Sequence, residues 1–184
     1  AQTQANWTDE DETAILNAID KWVEGEVRPI AREHDQADSY PHELVEQMKE
    51  LGLFGAIISP NYGGLGLPAS TYAKIVLKVA AAWMAPSGIF NSHLIMASAI
   101  ERTGTEEQKA EWLPKMATGE LRGGIALTEP NAGTDLQAIR TKAEKTNEGY
   151  RLNGTKTWIT NSLNGNCLMT VSYTHLRAHE TRIH

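Results

Sequence analysis

The sequence has 184 residues, of which 41% are hydrophobic, and carries a formal net charge of −6. This composition is typical of a globular chain, and its acidic balance argues against nucleic acid as a partner, because phosphate backbones require a basic surface. The single cysteine allows no internal disulfide, which favours a reducing compartment, either a bacterial cytoplasm or a mitochondrial matrix. No apolar run approaches the roughly 18 residues that a membrane span needs, and we expect no membrane association.

The first part of the chain has the spacing of amphipathic helices. Over residues 7–32, apolar side chains recur every three or four positions, with Thr8 placed as an N-cap and Pro29 as a point of kinking. Four more helices are predicted, over residues 41–52, 70–83, 87–102 and 105–119, with "APSG" ending the third helix. Short connections between helices indicate a compact helical domain, which we assign to residues 1–121.

A glycine pattern in the loop "GGLGLPA" matches the spacing of dinucleotide-binding loops, as Gly64-x-Gly66-x-x-Ala69. That function also requires a helix opening on the third position and an acid for the ribose. Pro68 interrupts the helix start, and "MAPSGIF" offers no acid at the expected distance. We therefore interpret the segment as a tight interhelical loop.

After residue 119 the hydrophobic period becomes alternating. The segments "GGIAL", "AIRTKAEKT", "YRLNGTKTWIT" and "GNCLMTVSY" are predicted as short strands, with "NEG" and "NG" as turns. A helical domain followed by an antiparallel β segment, residues 122–172, is a two-domain α+β arrangement.

Two segments of the β region have the composition of a cofactor site. In "GGIALTEPNAGTDLQ", Thr128, the Gly133 amide and the Thr134 hydroxyl come close to a proline-fixed turn and suit the polar edge and phosphates of a cofactor. In "TWIT", Trp158 and Thr160 share one face of a predicted strand and could hold a flat ring. The alternatives are an ordinary turn and an ordinary sheet core.

The motifs "YGGLGL", "GTEEQKAEWLPKMATGE", "ALTEPNAGTD" and "GTKTWITN" occur in the order and spacing of one family. Over about residues 8–171 the chain resembles the acyl-CoA dehydrogenases, flavoproteins that desaturate acyl-CoA thioesters at the α,β bond. The resemblance implies an N-terminal helical domain, a middle β domain and a C-terminal helical bundle. This chain would hold the first and part of the second, a truncated antiparallel β-barrel-like domain. It also implies FAD as cofactor, electron-transfer flavoprotein as partner and a homotetramer or homodimer.

The resemblance also assigns cofactor contacts in this chain. Thr128 would bond the pyrimidine edge of the flavin, Thr134 would lie where substrate and cofactor meet, and Thr160 would donate near flavin N5, with Trp158 beside the ring. The implied cofactor-binding residues are Ile125, Ala126, Leu127, Thr128, Gly133, Thr134, Trp158, Ile159 and Thr160.

The resemblance places the catalytic base, a glutamate, in the C-terminal bundle beyond residue 184, so we assign no catalytic residue and no metal site in this chain. Glu129 would belong to a structural turn, with a solvated carboxylate. We expect His93 to be packed or at the surface, and Lys109 and Lys115 to lie on a solvated helix face.

The last residues, 173–184, depart from the family's pattern. His175, His179 and His184 could bind a metal, but no other ligands accompany them, and we interpret the segment as a non-family tail. Two alternatives to a dehydrogenase remain: an acyl-CoA oxidase or flavin monooxygenase of the same fold, or a helical binding fragment without activity.

Overall fold

The computed structural model describes residues 7–173, in which helices precede a small β region. The helices are α1 (Asp9–Trp22), α2 (Arg28–Ala37), α3 (His42–Glu50), α4 (Ala69–Ala82), α5 (Met84–Thr103) and α6 (Glu106–Thr118). The strands are β1 (Gly123–Ala126), β2 (Lys142–Thr146), β3 (Gly149–Asn153) and β4 (Cys167–Thr170). The α+β class is confirmed. Across residues 7–173, no helix has both the length and the apolar character of a membrane span.

The long first helix expected from the sequence is divided in two. Thr8 caps α1 through a capping box, as predicted. A π-helical turn over Val23–Val27 then separates α1 from α2, and the N–H of Arg28 donates to the Val23 carbonyl. Pro29 lies in the first turn of α2, where a missing N–H is tolerated. The helical run is therefore interrupted by a π turn that ends two residues before Pro29, and the kink predicted at Pro29 itself stays a prediction.

The boundary between α4 and α5 lies earlier than the sequence predicts. It falls at Trp83, whose φ of −159° is extended, and Pro86 of "APSG" belongs to the first turn of α5. The expectation that "APSG" ends the preceding helix is wrong, because proline is as well suited to starting a helix as to stopping one. Thr105 caps α6, as predicted, and Gly119 ends it in the left-handed region at φ 78°.

The glycine-rich loop before α4 is a tight interhelical loop, as predicted. The N–H of Gly66 donates to the Ile58 carbonyl at 2.9 Å. A Cβ on Gly64 would lie only 2.1 Å from that same carbonyl oxygen, so glycine is required by close approach of two backbone segments. Two short 3-10 turns, rather than a strand, lead into the loop.

Side chains from both ends of the helical part meet in one core. It includes Ile19, Val27, Leu44, Met48, Phe54, Ile75, Val79, Phe90, Leu94, Leu113 and Met116. The central helix α5 contacts α4 and α6 and also carries β1 on its surface. Ile125 and Met169, from β1 and β4, pack against the edge of this core and so fix the position of the β region.

Within the described residues the β region forms two small sheets and no closed barrel. β2 and β3 are an antiparallel hairpin in which Thr146 faces Gly149, and this confirms the "NEG" turn. β1 and β4 pair in parallel, with Gly123 opposite Cys167, which corrects the antiparallel expectation for these two strands. A parallel pair requires a long crossover, and both predicted cofactor segments lie on or beside it.

Tyr173 continues the pairing beyond β4. Its N–H donates to the Thr141 carbonyl at 2.9 Å, and its carbonyl accepts from Ala143 at 2.7 Å. The predicted domain boundary at residue 173 stays a prediction, and His175, His179 and His184 lie outside the described residues.

Candidate functional site

The first predicted contact segment starts on β1, close to the second one. A Cβ on Gly124 would lie 2.5 Å from Ser92 Oγ of α5 and 2.8 Å from the Thr160 carbonyl, so the strand is tightly enclosed there. Over residues 125–128 the chain leaves β1, with Ala126 only 1% exposed and its neighbours half-buried. β1 is thus placed beside Thr160, at Gly124, by close backbone packing.

A proline-containing turn follows, as the sequence predicts. The N–H of Glu129 donates to the Ala132 carbonyl at 2.8 Å, and the reverse bond is 3.1 Å. Gly133 and Thr134 then run along the surface, both exposed. Apart from Gly133 and its two chain neighbours, no described residue has an atom within 4 Å of a Cβ built on Gly133, so this stretch of backbone is open to a ligand.

The Glu129 carboxylate is buried beneath this turn. It is 7% exposed and accepts from the Arg140 N–H at 2.7 Å, the Thr141 N–H at 2.9 Å, Thr141 Oγ1 at 2.5 Å and Lys156 Nζ at 2.9 Å. Burial alone would raise the pKa of Glu129, but these four donors together lower it to about 2. The expectation of a solvated carboxylate is wrong, while the geometry agrees with its place in a structural turn.

The second predicted contact segment is a loop and not a strand. Trp158 and Asn161 both adopt the left-handed region, at φ 58° and 66°, which ends any extended run. Turn bonds follow, from the Ser162 N–H to the Ile159 carbonyl at 3.2 Å and from Gly165 to Asn161 at 2.8 Å. The predicted strand face shared by Trp158 and Thr160 is therefore wrong: alternation in "TWIT" resembles a strand, but tertiary anchors impose turns.

The loop is joined directly to the first segment. The N–H of Thr157 donates to the Thr128 carbonyl at 3.0 Å, and Lys156 Nζ donates to the Leu127 carbonyl at 2.9 Å. The structure therefore brings the two predicted segments together, although about 30 residues separate them along the chain.

Asn161 anchors the other end of the loop. Its Nδ2 donates to the Ile89 carbonyl on α5 at 2.9 Å and to the Gly123 carbonyl on β1 at 2.8 Å. The left-handed conformation at Asn161 is one that asparagine tolerates better than most residues. Helical and β regions are thus fixed to the loop by one amide group.

Between these anchors the predicted contact residues point to solvent. Trp158 is 93% exposed, which excludes an ordinary sheet core, and Thr160 is also exposed. Within residues 7–173 the hydroxyls of Thr128, Thr134 and Thr160 make no hydrogen bond. An uncovered indole, hydroxyl groups without hydrogen bonds and an open backbone, on two segments joined by hydrogen bonds, fit a flat ring system with a polar edge.

The remaining candidates play structural roles. His93 is fully buried, and its Nε2 lies 3.2 Å from the Phe54 carbonyl and 3.0 Å from the Met116 carbonyl. Burial lowers the pKa of His93 to about 4. Lys115 is exposed, as expected for a solvated helix face, whereas the Lys109 side chain is only 17% exposed and pairs with the exposed Glu106, so the expectation is wrong for Lys109.

Sequence reasoning missed the residues that assemble the site. Lys156 and Asn161 lie inside the quoted motif "GTKTWITN", and Thr141 lies in the predicted strand "AIRTKAEKT", but no local pattern assigns their partners. One signal could have been detected: the motif "ALTEPNAGTD" has a glutamate before the proline of its turn, and the motif "GTKTWITN" has a lysine. Opposite charges in two distant motifs of one site can form a buried pair.

Comparison with known proteins covers both regions. The model of the acyl-CoA dehydrogenase N-terminal domain matches residues 9–120, and that of the acyl-CoA dehydrogenase middle domain matches residues 124–183. The short-chain-specific acyl-CoA dehydrogenase of Clostridium acetobutylicum is 38% identical over 148 residues, covering 80% of this chain and 39% of the relative. The mitochondrial isovaleryl-CoA dehydrogenase of Pongo abelii is 31% identical over 176 residues, covering 94% of this chain and 42% of the relative.

A solved structure shows the same architecture. The glutaryl-CoA dehydrogenase of Mycobacterium smegmatis in complex with FADH2 superposes with a TM-score of 0.83 at 30% identity, covering 91% of this chain and 43% of that one. The chain therefore spans less than half the length of these relatives. With both family models matched in sequence order and the fold shared, the chain belongs to the acyl-CoA dehydrogenase family.

Proposed function

We propose that this chain supplies the helical domain and one wall of the flavin site of an FAD-dependent acyl-CoA dehydrogenase. The observation that carries the proposal is the exposed loop at Trp158, bonded to the end of β1 through Thr157 and Lys156. This loop and the open stretch at Gly133 face solvent with an indole, hydroxyls and backbone amides. Such a surface suits a ligand with a flat apolar face and a polar edge, which supports the proposal.

The residues of the chain would bind and orient rather than transfer protons. Trp158 and Ile159 would pack beside the isoalloxazine, and Thr128 and Thr160 would direct hydroxyls to its polar atoms. Thr134 would lie where the acyl-CoA thioester approaches. FAD, when bound, accepts the electrons that leave the β carbon of the substrate. Glu129 is unsuited to act as the base, because its carboxylate already accepts four hydrogen bonds and a pKa lowered to about 2 makes it a weak proton acceptor.

The proposal extends to the whole protein of which such a chain would be part. We propose α,β-desaturation of an acyl-CoA as the reaction, electron-transfer flavoprotein as the electron acceptor and a homodimer or homotetramer as the assembly. A bacterial cytoplasm or a mitochondrial matrix is the proposed location. The support is family membership together with the names of relatives from both kinds of compartment.

Substitutions in a full-length relative that carries the same motifs test the site. The equivalent of Trp158→Ala removes an apolar surface worth roughly 1.5–3 kcal/mol on burial, so FAD retention should fall by about 10- to 100-fold. The equivalent of Thr160→Val keeps the shape and removes one hydrogen bond, so it should change the rate of flavin reduction more than retention. A full flavin load in the first variant and parental reduction in the second would refute the assignment.

A further inference from the structure

We propose that Lys156 is a positioning residue, which sets the loop of Trp158–Thr160 against the end of β1 through a buried ion pair with Glu129. The loop itself carries the contacts of the proposed function, and the cofactor part of this inference rests on that proposal. We call the contacts of Lys156 with Glu129 and Leu127 the clamp, and this part of the inference rests on geometry alone.

The ion pair joins the two segments at adjacent points. Lys156 Nζ lies 2.9 Å from Glu129 Oε1 and 2.9 Å from the Leu127 carbonyl. The two side chains are only 12% and 6% exposed, so solvent screens their attraction far less than it screens a surface pair. One ammonium group thus satisfies a carbonyl and a carboxylate on the same stretch of chain.

The glutamate half of the pair is held without the lysine. Three donors from Arg140 and Thr141 fix both carboxylate oxygens from the other side, at 2.5–2.9 Å. The Glu129 backbone is closed in its own turn with Ala132. Glu129 is therefore the fixed half of the pair, and the segment that depends on it is the one that carries Lys156.

The lysine half has few other attachments. Next to it, the Thr157 N–H donates to the Thr128 carbonyl at 3.0 Å, while Thr157 Oγ1 is buried without a partner among the described residues. Four residues further, Asn161 holds the loop to α5 and β1. Trp158 lies between these anchors, 93% exposed and in the left-handed region. Its outward position is set by the anchors, because its own side chain packs on almost nothing.

Hydrogen exchange in the 184-residue chain tests the clamp without any cofactor. Lys156→Met keeps the length of the side chain and removes the ammonium. Within residues 157–163, the hydrogen-bonded amides of Thr157 and Ser162 should then exchange at least tenfold faster. Amides of α1, α4 and α6 should keep parental exchange. Lys156→Arg retains the charge and should recover part of the protection. Lys49→Met, which breaks the exposed pair with Glu46, should leave residues 157–163 unchanged.

Two results would overturn the role of Lys156: parental exchange over residues 157–163 in Lys156→Met, or equal acceleration in the loop and the helices. The second result would show a general loss of stability rather than positioning. Glu129→Gln provides an independent variant, since an amide accepts less strongly from Lys156, and it should accelerate the same amides.

The cofactor part has a separate readout in a full-length relative with the same motifs. The equivalent of Lys156→Met should shift the visible flavin spectrum and lower kcat more than it raises KM, because the ring contacts are displaced. Accelerated loop exchange with an unchanged flavin spectrum would overturn the assignment of this loop to FAD, while the clamp would stand. Unchanged exchange with a changed spectrum would overturn the clamp and leave the proposed function in place.

Discussion

The buried His93 should make the helical domain acid-sensitive over a defined pH range. Its imidazole is 0% exposed, and Nε2 faces the carbonyls of Phe54 and Met116 at 3.2 and 3.0 Å. Both partners are acceptors, so Nε2 carries the proton, and Nδ1 is buried without a partner among the described residues. Burial lowers the pKa of His93 from 6.5 to about 4, opposed by the two carbonyls and aided by the charge of Arg122.

The magnitude follows from the two pKa values. Between pH 6.5 and about 4 the unfolded chain binds more protons at this histidine than the folded chain does, so the free energy of unfolding falls as the pH falls. At about 1.4 kcal/mol per pKa unit, the full contribution is about 3.5 kcal/mol. It is complete above pH 6.5 and lost by about pH 4. Domains are typically stable by about 5–15 kcal/mol, so this loss is large enough to measure.

Urea unfolding followed by far-UV circular dichroism at several pH values between 7 and 4 measures this contribution. His93→Gln places an amide N–H near the position of Nε2 and does not titrate. The variant should be less stable at pH 7, but its free energy of unfolding should fall by about 2–3 kcal/mol less between pH 7 and 4. Equal losses in the parent and in His93→Gln over that range would refute the reasoning.

Three further predictions concern single features. Gly64→Ala should lower the thermal midpoint, because the added Cβ would lie 2.1 Å from the Ile58 carbonyl oxygen and overpacking typically costs about 1–3 kcal/mol. The control Gly88→Ala should not lower it, because a Cβ on Gly88 has no contact within 4 Å. Because the pKa of Glu129 is about 2 instead of 4.5, the stability that its carboxylate gives the fold is complete above pH 4.5 and is lost as the pH falls towards 2. Amide exchange over residues 129–141 at pH 5 and pH 3 measures this loss. Equal protection at both pH values would contradict it. The 184 residues alone should not turn over any acyl-CoA with an artificial electron acceptor, because they span less than half the length of the relatives and the resemblance places the base beyond them. Any turnover would contradict this.

Helix positions in this chain could be predicted because local signals and tertiary packing agree there. Thr8 and Thr105 cap helices in the structure as the sequence indicates. Where a residue type serves two purposes, prediction fails: Pro86 starts α5 rather than ending α4. The π turn at Val23–Val27 has no signature of its own in the sequence, because its hydrophobic spacing remains that of a helix.

The two segments that the sequence predicts as one site do meet in the structure, but their geometry was not predicted. "TWIT" alternates as a strand does, yet Trp158 is turned outward by anchors at Lys156 and Asn161. These anchors join residues about 30 to 70 positions apart, and no local pattern reports such pairs. Likewise, Glu129 follows a strand and would ordinarily be solvated, but four donors from distant segments enclose its carboxylate.

The Asn161 amide provides the sharpest test of how the two regions are joined. Nδ2 donates to carbonyls on α5 and β1 at 2.9 and 2.8 Å, and the residue is at φ 66°. Asn161→Asp keeps the size and tolerates that conformation, but it places a carboxylate oxygen against two carbonyl oxygens. Asn161→Gly keeps the conformation and removes the side chain. Loss of both bonds should cost about 1–3 kcal/mol in the glycine variant, and the aspartate variant should lose more at pH 7 than at pH 3, where a protonated carboxyl can donate one bond. If both variants kept the parental thermal midpoint at pH 7, the contacts of Nδ2 would not be what holds the loop.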